Sequence, residues 1–362
     1  MTETSVGNKR SKKNRKRITR LYIALVITVL ALITIVTGAF IERKQKIATT
    51  NELNEANALL AETELARQQA DKNGHDQGFS EGYNQGAEEK RRELLDEIRQ
   101  SFENGATPVE VLKPLYPDQI VVYSGDKYRF IDIDDSLPKS DYDINNLNIL
   151  DSGEYQYVVN GEVKSVKGID VSSHQGKIDW NKVANDGVKF AFIRVLYRGY
   201  GNGKLNVDKY AKANLAGAKA AGIDVGVYIF TQAISKAEVD AEIAEAIKVL
   251  GGTSLDMPFV VDVERVSSSG ARMDRLSVDE RTEIVNYYLD AIEAAGYDAM
   301  IYHNTEMGAC LLETDKIVGK PTWFAGYRPE FYWPYDYQIW QYSEKGSVSG
   351  IKGNVDLDIL LK

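Results

Sequence analysis

The chain has 362 residues, 43% hydrophobic and 27% charged, the make-up of a globular protein of two or three units. Its net charge of -9 argues against nucleic acid as the main partner, because a phosphate-binding face needs a basic surface. The single cysteine, Cys310, excludes an intrachain disulfide, and with only three histidines beside it no metal site or other cofactor is expected.

The average hides a strong asymmetry at the start. Residues 1–20 carry Lys9, Arg10, Lys12, Lys13, Arg15, Lys16, Arg17 and Arg20 against one acid, Glu3, and Leu21 to Ile41 then follows without any charge. A helix over 21–41 would span about 31 Å, which matches a bilayer core. The flank beyond it is less basic, so the positive-inside rule places residues 1–20 in the cytoplasm and the rest of the chain outside. The apolar stretch exceeds the roughly 7–15 residues of a signal-peptide core, so an uncleaved, single-pass anchor is expected. An exported chain without disulfides suits a Gram-positive cell surface.

Residues 42–105 read as a helical stalk. Leu53, Ala56, Leu60 and Thr63 form a weak heptad seam, which points to self-association through a coiled coil. Gly74, Gly78, Gly82 and Gly86 recur every four residues. On a helix they would make one smooth stripe, but glycine costs about 1 kcal/mol per helical position, so a flexible linker is the simpler expectation. Helix resumes over 87–103, with Leu94, Leu95, Ile98 and Phe102 on one side and Asn104-Gly105 as the stop. Residues 108–166 change character and read as a small β-rich module. Strands at 119–123 and 128–133 flank Ser124-Gly125-Asp126, and strands at 155–159 and 162–166 flank Asn160-Gly161, a tight hairpin turn. No chemistry-bearing cluster falls there, so a spacer or docking surface is expected.

From Lys167 to the end, strands and helices alternate. Apolar strands fall at 168–171, 190–195, 224–230, 258–263, 298–302, 322–327, 337–342 and 355–360. Helices fall at 179–187, 206–221, 235–250, 277–295 and 305–313, two of them opened by capping boxes, Ser235/Glu238 and Ser277/Glu280. Eight mostly parallel strands favour a closed α/β barrel, whose chemistry gathers at the C-terminal ends of the strands.

The acids lie where that rule asks for them. Asp262 and Glu264 close the fourth strand two positions apart, so they share a face, about 6.6 Å apart along the backbone, while Val261 and Val263 face the other way. Asp170 ends the first strand, and Asp356 lies in the eighth, beside the first once the barrel closes. Taken alone, each of Asp170 and Asp356 reads more readily as a cap or turn residue. Four carboxyls at one mouth hold one of their number protonated, and an acid beside a carboxylate is what glycosidic cleavage needs. Tyr228, Phe230, Tyr302, Trp323, Tyr327, Trp340 and Tyr342 stand at or near strand ends, where flat rings can take sugar faces; core packing is the competing role of each. His174 and His303 are expected as hydrogen-bond partners, and Arg194 as the neutraliser of a barrel acid.

These residues resemble a known family. Gly168-Ile169-Asp170-Val171-Ser172-Ser173-His174-Gln175-Gly176, Phe192-Ile193-Arg194-Val195, Val225-Gly226-Val227-Tyr228-Ile229-Phe230, Asp262-Val263-Glu264, Ile339-Trp340-Gln341-Tyr342 and Gly353-Asn354-Val355-Asp356 are similar, in order and spacing, to glycoside hydrolase family 25, the lysozyme-like muramidases. The resemblance covers 167–362. It implies a (β/α)5(β)3 barrel that cuts the β-1,4 bond between N-acetylmuramic acid and N-acetylglucosamine in peptidoglycan. It further implies Glu264 as general acid and Asp262 as stabiliser of the reacting centre, with Asp170 and Asp356 completing the acidic cluster. The substrate's acetamido group as nucleophile and a direct inversion both stay open. Where many members carry a Lys-x-Thr/Ser-Glu-Gly segment after the second strand, this chain has Arg194-Val195-Leu196-Tyr197-Arg198-Gly199. The whole reads as a membrane-anchored muramidase for local wall remodelling or opening. The rival is a non-catalytic peptidoglycan-binding scaffold.

Overall fold

The structure, a computed structural model, describes residues 58–67, 77–266, 270–329 and 333–361. The basic tail, the membrane helix expected over 21–41 and the first part of the stalk lie outside the described residues. Among the described residues no helix is long and apolar enough to cross a membrane. The chain divides into two compact units, Met1–Val121 and Val122–Lys362, so the division falls inside the expected 108–166 module.

In the first unit residues 58–67 are helical, and a long helix, α1, runs Gln77–Glu103. It includes Gly78, Gly82 and Gly86, so this part of the glycine series is helix rather than linker. Gly105 ends it with a left-handed φ of 85°, and the Ala106 N–H reaches back to the Ser101 carbonyl at 3.3 Å. A full capping box, Thr107 with Glu110, then opens the short α2 (Pro108–Leu112), whose Val111 packs with Phe102, Ala106 and Leu115.

The second unit holds two small sheets and a barrel. β1 (Gln119–Ser124) runs across the division and pairs with β2 (Lys127–Asp132) around Gly125-Asp126, whose φ values of 59° and 60° make a mirror-type hairpin turn. β3 (Leu147–Ile149), β4 (Tyr155–Val159) and β5 (Glu162–Val163) form an antiparallel sheet, with the Asn160-Gly161 turn joining the last two. The chain then enters the barrel directly through β6 (Ser165–Val171), so residues 165 and 166 belong to the barrel and not to the hairpin.

The remaining strands are β7 (Phe190–Arg198), β8 (Leu205–Val207), β9 (Asp224–Phe230), β10 (Phe259–Asp262), β11 (Ala299–Asn304), β12 (Thr322–Ala325), β13 (Ile339–Gly346) and β14 (Val355–Leu361). Eight of them close in the order β6-β7-β9-β10-β11-β12-β13-β14 and back to β6. Of these eight, the seven from β6 to β13 run parallel, whereas β14 is antiparallel to both of its neighbours. β8 folds back on the end of β7 where a helix start was expected. The helices are α3 (Trp180–Asn185), α4 (Ala211–Ala220), α5 (Lys236–Leu250), α6 (Val278–Ala294) and α7 (Thr314–Ile317). The helix expected at 305–313 is present over 305–311 in widened, π-helical form at Met307–Leu311, and the short α7 follows it. The Ser277/Glu280 capping box forms in full, but Glu238 reaches Ile234 and Arg272 rather than completing a box with Ser235.

Both faces of these strands are buried, which is why their sequences run apolar instead of alternating. The barrel interior below the mouth is filled by Phe190, Phe192, Val260, Met300, Trp323 and Ile339. Gly168 makes room for this filling: it faces inward on β6, and a Cβ there would lie 2.1 Å from the Phe190 ring.

Candidate active site

Alternation along β10 turns Val260 and Asp262 inward, and Glu264 follows on the same side two residues beyond. Val261 and Val263 are fully buried on the opposite face. In register, Asp262 stands between Phe230 of β9 and Tyr302 of β11. Asp170 occupies the matching level of β6. Asp356 is the second residue of β14, which in an all-parallel barrel would put it at the far end. Because β14 runs antiparallel, Asp356 sits directly opposite Asp170 at the mouth.

These residues line one cleft of about 260 Å³. It takes in Asp170, Asp262, Glu264 and Asp356, with Tyr228, Phe230, Tyr302, Trp323 and Tyr327 from the predicted aromatic set. Trp340 lies elsewhere. Ile339 and Gln341 take the inward face of β13, so Trp340 and Tyr342 point outward, where Trp340 meets Tyr142 and Tyr155 edge-on at 5.3 and 5.4 Å. The Trp340 indole N–H is held there by the Gly326 carbonyl at 2.7 Å.

The electrostatics of the cleft favour retained protons. Burial raises Asp262 well above the usual carboxyl range, and the neighbouring Glu264 charge and a hydrogen bond between the two carboxyls add to it. Glu264 is raised by burial, and the same contact opposes that rise. Burial likewise raises Asp170, helped by the charges of Asp356 and Asp358, and lifts Asp356 to about 6, helped by Glu344. A group of acids this close and this dry cannot ionise together. The Oδ1 atom of Asp262 is buried and has no hydrogen-bond partner.

Arg194 lines the cleft but pairs outside the acidic cluster. Its guanidinium contacts Asp208 at 3.0 Å and the Ser173 hydroxyl at 3.2 Å. His174 also lines the cleft, while His303 faces away and is buried against Trp333 and Phe324. Burial drops the His303 imidazole to about 4, and its Nδ1 lies 3.0 Å from the Asn304 carbonyl.

Sequence alone does not single out Gln341 and Glu344, which line the cleft, or Asp358, which is buried beneath it. Gln341 donates from Nε2 to Asp170 at 2.6 Å and accepts the hydroxyls of Tyr302 and Tyr327 at 2.8 and 3.0 Å. Asp358 is fully buried below Asp356 and accepts the Trp323 indole N–H at 2.9 Å. The two-residue spacing of Asp356 and Asp358 was the available signal, the same one that marked Asp262 and Glu264. Among the described residues no His, Cys, Asp and Glu group has a metal-holding arrangement.

The model of Glycosyl hydrolases family 25 matches residues 169–351. The autolytic lysozyme of Clostridium acetobutylicum is 30% identical over 196 residues, covering 53% of this chain and 55% of that protein. Lysozyme M1 of Streptomyces globisporus is 30% identical over 214 residues, covering 54% of this chain and 67% of its own. Among solved structures, the modular autolysin LytC of Streptococcus pneumoniae, in complex with a synthetic peptidoglycan ligand, is 23% identical with a TM-score of 0.50, covering 67% of this chain and 56% of that one. That likeness shows a shared fold. The chain spans about half the length of the first relative and of this structure.

Proposed function

The chain belongs to glycosyl hydrolases family 25, and on that footing we propose that it is a muramidase, hydrolysing the β-1,4 bond between N-acetylmuramic acid and N-acetylglucosamine in peptidoglycan. The observation that carries the reading is the pair of neighbouring acids, buried Asp262 and half-buried Glu264, at the mouth of an aromatic-lined cleft.

The chemistry follows from burial. One proton stays on the pair at neutral pH, because two touching carboxylates in a dry site repel. Asp262 is 4% exposed and Glu264 is the more open of the two, so Glu264 is the one placed to hand that proton to a leaving-group oxygen. Asp262 and Glu264 project from one side of a single chain segment, whereas a catalytic carboxyl pair faces itself across the sugar at about 5–5.5 Å, or about 6.5–9.5 Å where a water attacks. This favours the substrate's own acetamido oxygen as nucleophile. The unpartnered Oδ1 of Asp262 is then the acceptor for the acetamido N–H, and once the proton the pair shares stands on Glu264, the charge left on Asp262 steadies the ring formed on attack. Water opens that intermediate with Glu264 acting in reverse as base. Asp170 and Asp356 keep the cluster acidic, and Tyr228, Phe230, Tyr302, Trp323 and Tyr327 supply faces and hydroxyls for the sugars.

The charge-free stretch 21–41 and its basic flank support an outward-facing, membrane-held enzyme, suited to local wall remodelling and to self-association along the stalk. The deciding experiment is mass spectrometry of fragments that the full-length chain releases from purified peptidoglycan. Reducing N-acetylmuramic acid ends are expected. Reducing N-acetylglucosamine ends, or binding without release, would overturn the reading.

A further inference from the structure

Gln341 is the junction of the site. Its Oε1 accepts the Tyr302 and Tyr327 hydroxyls, which turns its amide N–H towards Asp170 at 2.6 Å. Few other groups help an ionised Asp170. Asp356 and Asp358 face it from β14 and Asp262 from β10, all acids, while Tyr228 on β9 and Tyr302 on β11 are neutral hydroxyls. Arg194 on β7 is committed to Asp208.

The strand that carries Gln341 is irregular at this point. β13 and β14 are in register at Gln341 and Asp358, but the register slips between Gln341 and Ser343, so Tyr342 falls in a bulge. A bulge interrupts the ladder and re-aims the side chains beside it. Besides its ladder partners in β12 and β14, the strand is gripped here from outside the barrel. Tyr155 of β4 stacks on Tyr342 with ring centres 4.2 Å apart and planes 11° from parallel. Tyr155 and Tyr142 close over Trp340 as well, so both neighbours of Gln341 are clamped from the outer face. The same segment is anchored beyond the clamp. The Asp134 N–H meets the Tyr335 hydroxyl at 2.9 Å, the Ser140 N–H meets the Pro334 carbonyl at 3.0 Å, and Lys167 pairs with both Glu154 and Asp186. None of residues 134–166 falls within the family match at 169–351.

We propose, resting on the muramidase reading, that Tyr155 and Tyr142 are positioning residues: they fix the outer face of β13 around its bulge and so hold Gln341 against Asp170. The segment before the barrel is thereby a working part of the site and not a spacer.

The test uses the full-length chain with Tyr155→Ala, Tyr155→Phe and Gln341→Ala. The Asp170 carboxyl is followed by carbon-13 NMR against pH, assigned with Asp170→Asn, and kcat and KM are measured on peptidoglycan. Loss of one donated hydrogen bond moves the Asp170 midpoint up by about half to one unit. That shift is expected in Gln341→Ala and in Tyr155→Ala, with kcat lowered and KM held, and is absent in Tyr155→Phe, which keeps the stack. A shift in Gln341→Ala with none in Tyr155→Ala would overturn the clamp. Should Tyr155→Ala not fold, Tyr155→Leu keeps the apolar contact without the stack and carries the same comparison. A wild-type chain that releases no fragments would sink the muramidase reading alone, since the NMR arm still decides whether the clamp holds Gln341.

Discussion

Replacing Asp356 by asparagine is expected to stabilise the folded barrel, and to do so more at pH 8 than at pH 5. Asp356 stands opposite Asp170, and burial together with the Glu344 charge raises it from 3.8 to about 6. The folded state therefore binds this proton more tightly than the unfolded chain does. The resulting stabilisation is complete below the unfolded value and is lost as pH climbs through the folded one. A shift from 3.8 to about 6 amounts to about 3 kcal/mol in all. Between pH 5 and pH 8 only the last stretch, from 5 to about 6, remains in play, which leaves about 1 to 2 kcal/mol. For a folding unit of 150–250 residues that is about 2–8 °C in Tm. Asparagine carries no charge to desolvate, so the variant escapes this loss and relieves Asp170 of a like charge as well. Scanning calorimetry of wild type and Asp356→Asn at both pH values reads the difference directly. His303 titrates in the same range but is common to both proteins and cancels. An advantage that is equal at the two pH values, or larger at pH 5, would refute the reasoning.

A second prediction concerns the polar network behind the cleft. Arg198 pairs with the fully buried Glu242, which also accepts the Thr231 and Tyr288 hydroxyls at 2.9 and 2.6 Å. Arg198→Met strands that carboxylate and should cost about 3–5 kcal/mol in urea denaturation at pH 8. Burial already raises Glu242, so the deficit should shrink towards pH 5 as it takes up a proton; an equal deficit at both pH values contradicts this. Third, the His303 ring should stay neutral on proton NMR from pH 8 down to pH 5, since burial holds it at about 4. A midpoint between 6 and 7 would show that it is not buried as described.

The barrel and most of its mouth were legible because strand periodicity is local. Asp262 and Glu264 announce a shared face by spacing alone, and the aromatics at the strand ends do the same. Where both faces of a strand are buried, period two gives the alternation but not its direction. Trp340-Gln341-Tyr342 can point either way by spacing, and it is the Gln341 amide, not the Trp340 ring, that sits in the cleft. Asp356 does stand beside Asp170, but the reason, the reversed sense of β14, depends on the long-range pairing of chain segments. Asp358 is hidden in an apolar run, and its partner Trp323 is 35 residues away. The 108–166 module looked detached because a hairpin signal records only its own turn. Nothing local to Tyr155 says that its ring will lie on Tyr342.

The central claim is that Glu264 supplies the proton that breaks the glycosidic bond. Steady-state hydrolysis of purified peptidoglycan by the full-length chain, compared with Glu264→Gln, tests it most directly. Loss of a positioned general acid predicts a fall in kcat of about 10²–10⁴-fold with substrate still bound. Activity in Glu264→Gln within a few-fold of wild type would contradict the account.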